Sequence, residues 1–220
     1  MKKSFSMLQY SSLFLFLILA ESTKDWKLAF MISGLVALGI LLKTIKTGRE
    51  TGIIAMPANL FLIGGAAMFL FDIPWLQNIY SNFHEASFFM WIVIFGFFQT
   101  IFSAKGFVGI EDKNKSKVIV FSTILLITSA ISLGMSLHFA GHPILSATLP
   151  IILIITMQDI LLCIHENRLK SIIFVICEAA IVTTLSISVK YLIHLPGIAK
   201  LFIPFAIKRI LDPLFKTKKI

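Results

Sequence analysis

Two carboxylates stand where carboxylates are expensive. Asp159, with Gln158 beside it, and Glu178 fall inside the long apolar stretches 143–164 and 171–193. An acid within a bilayer span costs about 2.5–3.5 kcal/mol even on lenient insertion scales and marks a functional position by default. At helical rise, Asp159 lies about five residues, roughly 8 Å, before the end of its stretch, and Glu178 about seven residues, roughly 11 Å, past the start of its own. The short join His165–Lys170 makes the two helices antiparallel neighbours, so the acids reach similar depth and can share one pocket. Two carboxylates close together in low dielectric cannot both stay ionised, so one holds a proton. That is the form of a proton- or cation-coupling site, with Gln158 as a hydrogen-bonding neighbour. A plainer reading competes with it: each acid reaches the headgroup layer, or pairs with Arg168 or Lys170.

Histidine supplies the other candidate chemistry. His84, His138, His142 and His194 gather near the ends of apolar stretches on one side of the pattern, with Asp72 and Glu85 nearby. Neutral imidazole is the commonest metal ligand. The i, i+4 spacing of His138 and His142 would put both rings on one helical face, although Gly141 and Pro143 interrupt a helix there. No second ligand pair stands at motif spacing. Metal or haem binding by these four residues is therefore the alternative to interfacial histidine. Cys163 and Cys177 sit apart, in apolar surroundings, and read as two small buried hydrophobes.

The elements that must position these groups are helices in lipid. The chain of 220 residues is 57% hydrophobic and 14% charged, against about 25% charge in a soluble domain. Seven apolar stretches fill most of it, near 4–20, 27–43, 52–71, 86–104, 117–138, 143–164 and 171–193. A bilayer core of roughly 30 Å takes about 20 apolar helical residues. These runs are apolar all round, which excludes the alternating strands of a membrane barrel. The first resembles a secretory signal peptide, but Ile18-Leu19-Ala20 makes a poor cleavage site, and it is read as a retained first helix. The expected fold class is an all-α polytopic transmembrane bundle over 1–195, with a basic segment over 196–220. The longest gap between the stretches, 72–85, is 14 residues, so no soluble appendage is expected. Pro57 with Asn59, and Pro150, mark expected kinks. Ser33 with Ala37, Ala130 with Gly134, and Gly64-Gly65-Ala66-Ala67 are small-residue sets that let helices approach. Thr183, Thr184, Ser186 and Ser188 either line a polar path outward from Glu178 or bond to their own backbone.

Charge sets the orientation. One set of gaps carries Lys2 and Lys3; Lys43, Lys46 and Arg49; Lys105, Lys113, Lys115 and Lys117; and Arg168 with Lys170. The alternate gaps carry Lys24 and Lys27, then no Lys or Arg in 72–85 and none in 138–142. The basic side is cytoplasmic by the positive-inside rule, which places the N-terminus inside. Seven spans would leave the basic tail outside, with Lys200, Lys208, Arg209, Lys216, Lys218 and Lys219 against Asp212. Three accounts compete. A broken eighth span around 187–207 would accommodate Lys190, Pro196 and Pro204; an interfacial helix would put Leu201, Phe202, Phe205 and Ile210 in lipid; or a shorter stretch is re-entrant.

The net charge of +9 is explained by orientation and by anionic lipid headgroups at the basic loops and tail, not by nucleic acid. No phosphate-binding glycine loop and no Gly-x-Ser-x-Gly occurs, and no cofactor is expected. The sequence is read as a multi-pass protein of a bacterial cytoplasmic (inner) membrane that transports a small solute or ion. A membrane-embedded metal-, haem- or lipid-dependent enzyme using the histidines is the alternative. A non-catalytic subunit of a larger membrane complex or oligomer is the third.

Overall fold

In the structure, a computed structural model, residues 9–48, 52–142 and 144–192 are described. Each of the seven apolar stretches carries a helix, and no strand occurs among the described residues. The chain divides into two compact units on either side of Phe95–Gly96.

The first unit holds α1 (Ser11–Thr23), α2 (Trp26–Thr47), α3 (Ala55–Leu70), α4 (Pro74–Phe83) and the start of α5 (Ala86–Phe102). Asp25 starts α2 by accepting a hydrogen bond from the Leu28 amide at 3.1 Å, and Gly48 ends it at φ 58°. Both satisfy groups that the helix ends leave open. Small residues let α2 and α3 touch backbone to backbone. A Cβ on Gly34 would stand 2.9 Å from the Leu62 carbonyl oxygen, and Gly65 lies beneath the ring of Phe30. Phe16, Phe30, Phe61, Phe88 and Tyr80 fill the remaining space as linked ring pairs, among them Phe16–Phe30 at 4.6 Å and Phe61–Tyr80 at 5.1 Å between centroids.

The second unit holds the rest of α5, then α6 (Lys115–His138), a π-helical turn (Ile144–Thr148) running into α7 (Leu149–His165), and α8 (Leu169–Leu192). α6 packs on the π-turn and α7, and α7 packs on α8. Asn114 caps α6 by accepting from the Ser116 and Lys117 amides.

Burial in α6 runs opposite to that of a water-soluble helix. Its buried side is Val118, Ser122, Leu125, Thr128, Ser129, Ser132 and Ser136, mostly hydroxyls, while Ile119, Val120, Ile124, Ile127, Ile131 and Leu137 point outward. Water would drive the isoleucines in. Lipid removes that drive and favours small or hydroxyl-bearing helix interfaces. Among the described residues, four helical runs are long and apolar enough to cross a membrane: α2, α6, the π-turn with α7, and Leu169–Ser188 of α8. The bent pair α4–α5 makes a fifth if it counts as one span, and α1 and α3 are apolar but shorter.

Four sequence expectations change. Segment 72–85 is not a plain loop: it contains α4, which meets α5 at a bend of 112°. Pro57 does not kink its helix: it falls in the first turn, where an amide has no intrahelical partner to lose, whereas Pro150 follows directly on the π-turn, a distortion of the continuous helical run 144–165. Ala130 and Gly134 face outward, not into a helix contact. Cys177 is exposed on α8 rather than buried. The tail 193–220, with His194 and the proposed eighth span, lies outside the described residues, as do the side chain of Lys190 and residues 1–8.

Candidate functional site

α8 is almost wholly outward-facing. Leu169, Ile173, Phe174, Ile176, Ile181 and Leu185 are all exposed. Among its described residues the buried ones are Glu178, Val182 and Ser186, at i, i+4 and i+8. Such spacing is a single helical stripe. Among its described residues, the edge that α8 buries therefore carries a carboxylate and a hydroxyl, with Glu178 at 8% and Ser186 at 3% exposure.

Glu178 faces α7 across a small half-open cavity lined by Ile152, Ile155, Thr156, Val175, Glu178, Ala179 and Val182. The lining is apolar apart from Thr156 and Glu178. Such a site can hold one small cation or water against a carboxylate and a hydroxyl, with hydrocarbon all round.

Asp159 is half-buried and outside that lining, three residues beyond Thr156 towards His165. One helical turn, about 4.5 Å of rise, separates it from the level of Thr156. Gln158 is half-buried too, and its Nε2 donates to the Val108 carbonyl at 3.2 Å. That bond ties α7 to the loop 103–114. The loop turns inward: Phe107, Val108 and Ile110 are buried, and the Val108 amide donates to Ser122 Oγ at 3.4 Å. Arg168 forms an ion pair with its near neighbour Glu166.

A cluster that sequence reasoning missed closes the same end of the unit. Asp112 Oδ2 lies 3.2 Å from His165 Nε2 and 3.7 Å from Lys117 Nζ, which joins the loop to α7 and α6. Asp112 Oδ1 accepts from the Asn114 amide at 2.9 Å. That backbone hydrogen bond, and after it His165 and Lys117, hold the Asp112 carboxyl below its ordinary range, against a smaller opposing effect of desolvation. The sequence carried a faint sign of it. Asp112-Lys113-Asn114 is a turn leading into a helix cap, and His165 ends α7, where the helix dipole favours a cation.

The other candidates do not assemble. His84, His138 and His142 are exposed. α6 stops at His138, whose ring packs on Phe139, and Gly141 at φ 87° turns the chain before His142. The i, i+4 pair thus shares no helical face. Among the described residues no group of three His, Cys, Asp or Glu side chains could hold a metal ion. Of the four hydroxyls on α8, Thr183, Thr184 and Ser188 donate to carbonyls four residues back. Ser186 instead lies on the buried stripe. No protein family, curated protein or solved structure matches the chain.

Proposed function

We propose that this protein moves a small ion or solute across a membrane, with Glu178 as the proton or cation carrier. Asp159 is a second carboxylate one turn away, and Gln158 holds that part of α7 against the 103–114 loop. The observation that supports the reading is the buried stripe of α8. A helix this exposed needs nothing polar to stay in lipid, yet its one inward edge presents Glu178 to a cavity beside Thr156. Helix contact alone is served by small or hydroxyl-bearing residues such as Ser186, not by a carboxylate.

In this reading α1 and α3 complete a bundle of seven spans despite their length, since shorter apolar helices are accommodated by local thinning or by flanking residues. The N-terminus lies in the cytoplasm of a bacterium, and the basic segment 196–220 returns through a broken eighth span or rests on the membrane surface. The basic loops meet anionic headgroups.

The test uses purified protein in liposomes with a pH-sensitive dye inside and an imposed pH gradient. Wild-type protein is expected to carry proton-coupled flux, E178Q to lose at least about tenfold of it, and D159N to lose less. A second reading is independent of flux. A hydrophobic carbodiimide, which reacts with the protonated carboxyl group, is expected to modify Glu178 in the intact protein. Wild-type flux in well-folded E178Q protein overturns the proposal.

A further inference from the structure

The π-helix end of the second unit buries hydroxyls that its own protein atoms do not satisfy. Ser136 on α6, Ser146 on the π-turn and Ser186 on α8 are 2%, 0% and 3% exposed. Among the described residues, none of their Oγ atoms has a hydrogen-bond partner. A buried hydroxyl without a partner is costly, and native proteins normally resolve it with water or an ion.

The three come from different elements, yet the packing brings them to one level. Ser132 Oγ donates to the Pro150 carbonyl at 3.2 Å, which fixes the register of α6 against α7. Four residues further along each antiparallel helix lie Ser136 and Ser146. The π-turn contacts both α6 and α8. On α8, Ser186 lies eight residues past Glu178, while Thr148, also buried, lies eight residues before the cavity residue Thr156. Both steps are about 12 Å of helix. This register puts the hydroxyls at a similar level, about two turns from the carboxylate, with Val182 between Ser186 and Glu178 on the same stripe. A π-turn adds to the argument, because such bulges recur at functional sites.

We infer that Ser136, Ser146 and Ser186 form a hydrated station that passes protons between the π-helix end of the protein and Glu178. The inference rests on the carrier role proposed for Glu178. Each transfer makes one O–H bond as another breaks along hydrogen-bonded water, and the last converts the Glu178 carboxylate to the acid. No electrons move. Val182 lies between the station and the carboxylate on the same stripe, so the water that joins them must pass beside it on the α7 side.

Silver ion tests the station without depending on flux. In protein whose Cys163 and Cys177 are replaced by alanine, Ser136→Cys, Ser146→Cys and Ser186→Cys are each exposed to Ag⁺ in sealed liposomes. They are then unfolded and labelled with a maleimide. Ile154→Cys, in a buried apolar position of α7, is the control. Silver is expected to protect all three serine positions at least tenfold better than the control. Protection no better than at Ile154→Cys overturns the inference. A second measurement is the Tm of the triple variant S136A/S146A/S186A. Dry, unsatisfied hydroxyls would be relieved by alanine and raise Tm, which also counts against a hydrated station. Hydrated ones lose their water bridges, so a lower Tm is expected. The two proposals separate cleanly. Loss of flux in E178Q with no silver access leaves the carrier role standing and removes the station. Full flux in E178Q removes both.

Discussion

Asn59 shows how one side chain can join two helices at positions where the sequence suggests only a bend. Its Nδ2 donates to the Gln9 and Ala55 carbonyls at 3.2 and 2.9 Å, and its Oδ1 accepts from Ser12 Oγ at 2.6 Å. Gln9 Oε1 in turn accepts from the Gly52 amide. Removing one member of such a buried network strands the others, at about 1–3 kcal/mol. Asn59→Ala is expected to lower stability by that order, read as a fall in Tm. Ser12→Ala, which removes one bond, should fall less, and equal effects would argue against a shared network. In the second unit Asp112 carries a pH dependence of fixed sign. A carboxyl held below its ordinary value of 3.8 stabilises the fold above that value and stops doing so as pH falls through its folded value. The Tm difference between wild type and D112N should be steady above about pH 5 and shrink below about pH 4. A difference that grows on acidification would show that Asp112 does not hold the loop. Neither network was legible in the sequence. The partners lie far apart along the chain, 53 residues for Asp112 and His165, and polarity patterns report faces rather than pairings. Glu178 was legible because a lone acid in an apolar stretch needs no partner to be conspicuous.

Among the elements, α4 departs furthest from the sequence pattern. Its ten residues were too few and too polar to register against the long apolar runs, and Pro74 gave it a helix start rather than a loop. Leu76 is buried, and the Tyr80 hydroxyl donates to the Phe61 carbonyl at 2.7 Å and accepts from the Trp91 indole at 2.9 Å. One face is thus fastened to the first unit. Beside it Trp75, 63% exposed, lines up with Ile79 and Phe83 at i, i+4 and i+8, while Gln77, Asn78, Ser81 and Asn82 take the remaining side. An apolar stripe backed by a polar face suits the headgroup boundary, where tryptophan concentrates. The 112° bend into α5 agrees, since a helix nearly perpendicular to a span lies close to the membrane plane. In liposomes of brominated lipids, with Trp26 and Trp91 replaced by phenylalanine, Trp75 fluorescence should be quenched most by bromines near the headgroups. Strongest quenching by bromines near the chain ends would make α4 a re-entrant element instead, and absence of quenching would place it in water.

For the whole molecule, the apolar runs were readable because lipid imposes a length and excludes unpaired backbone. How many of them cross was not, since α1 and α3 are shorter than the rest. Orientation is carried by charge alone. The segment 105–117 holds four lysines and 166–170 holds Arg168 and Lys170, whereas 139–142 holds none. In the second unit the first two flank the His165 end of α7, and the third precedes the π-turn at its opposite end. The asymmetry therefore runs along one helix pair, and on the positive-inside rule the proposed orientation has the His165 end in the cytoplasm. A reporter enzyme active only in the cytoplasm checks this at two places. Joined after Ile220 it should be active if the basic tail returns inside, and inserted at Gly141 it should be silent. Activity at Gly141 would reverse the orientation, and with it the side from which the Ser136–Ser146–Ser186 station fills. Silence at both positions would keep the orientation and set the tail on the outer surface, where its six cations would oppose the bias that the loops obey.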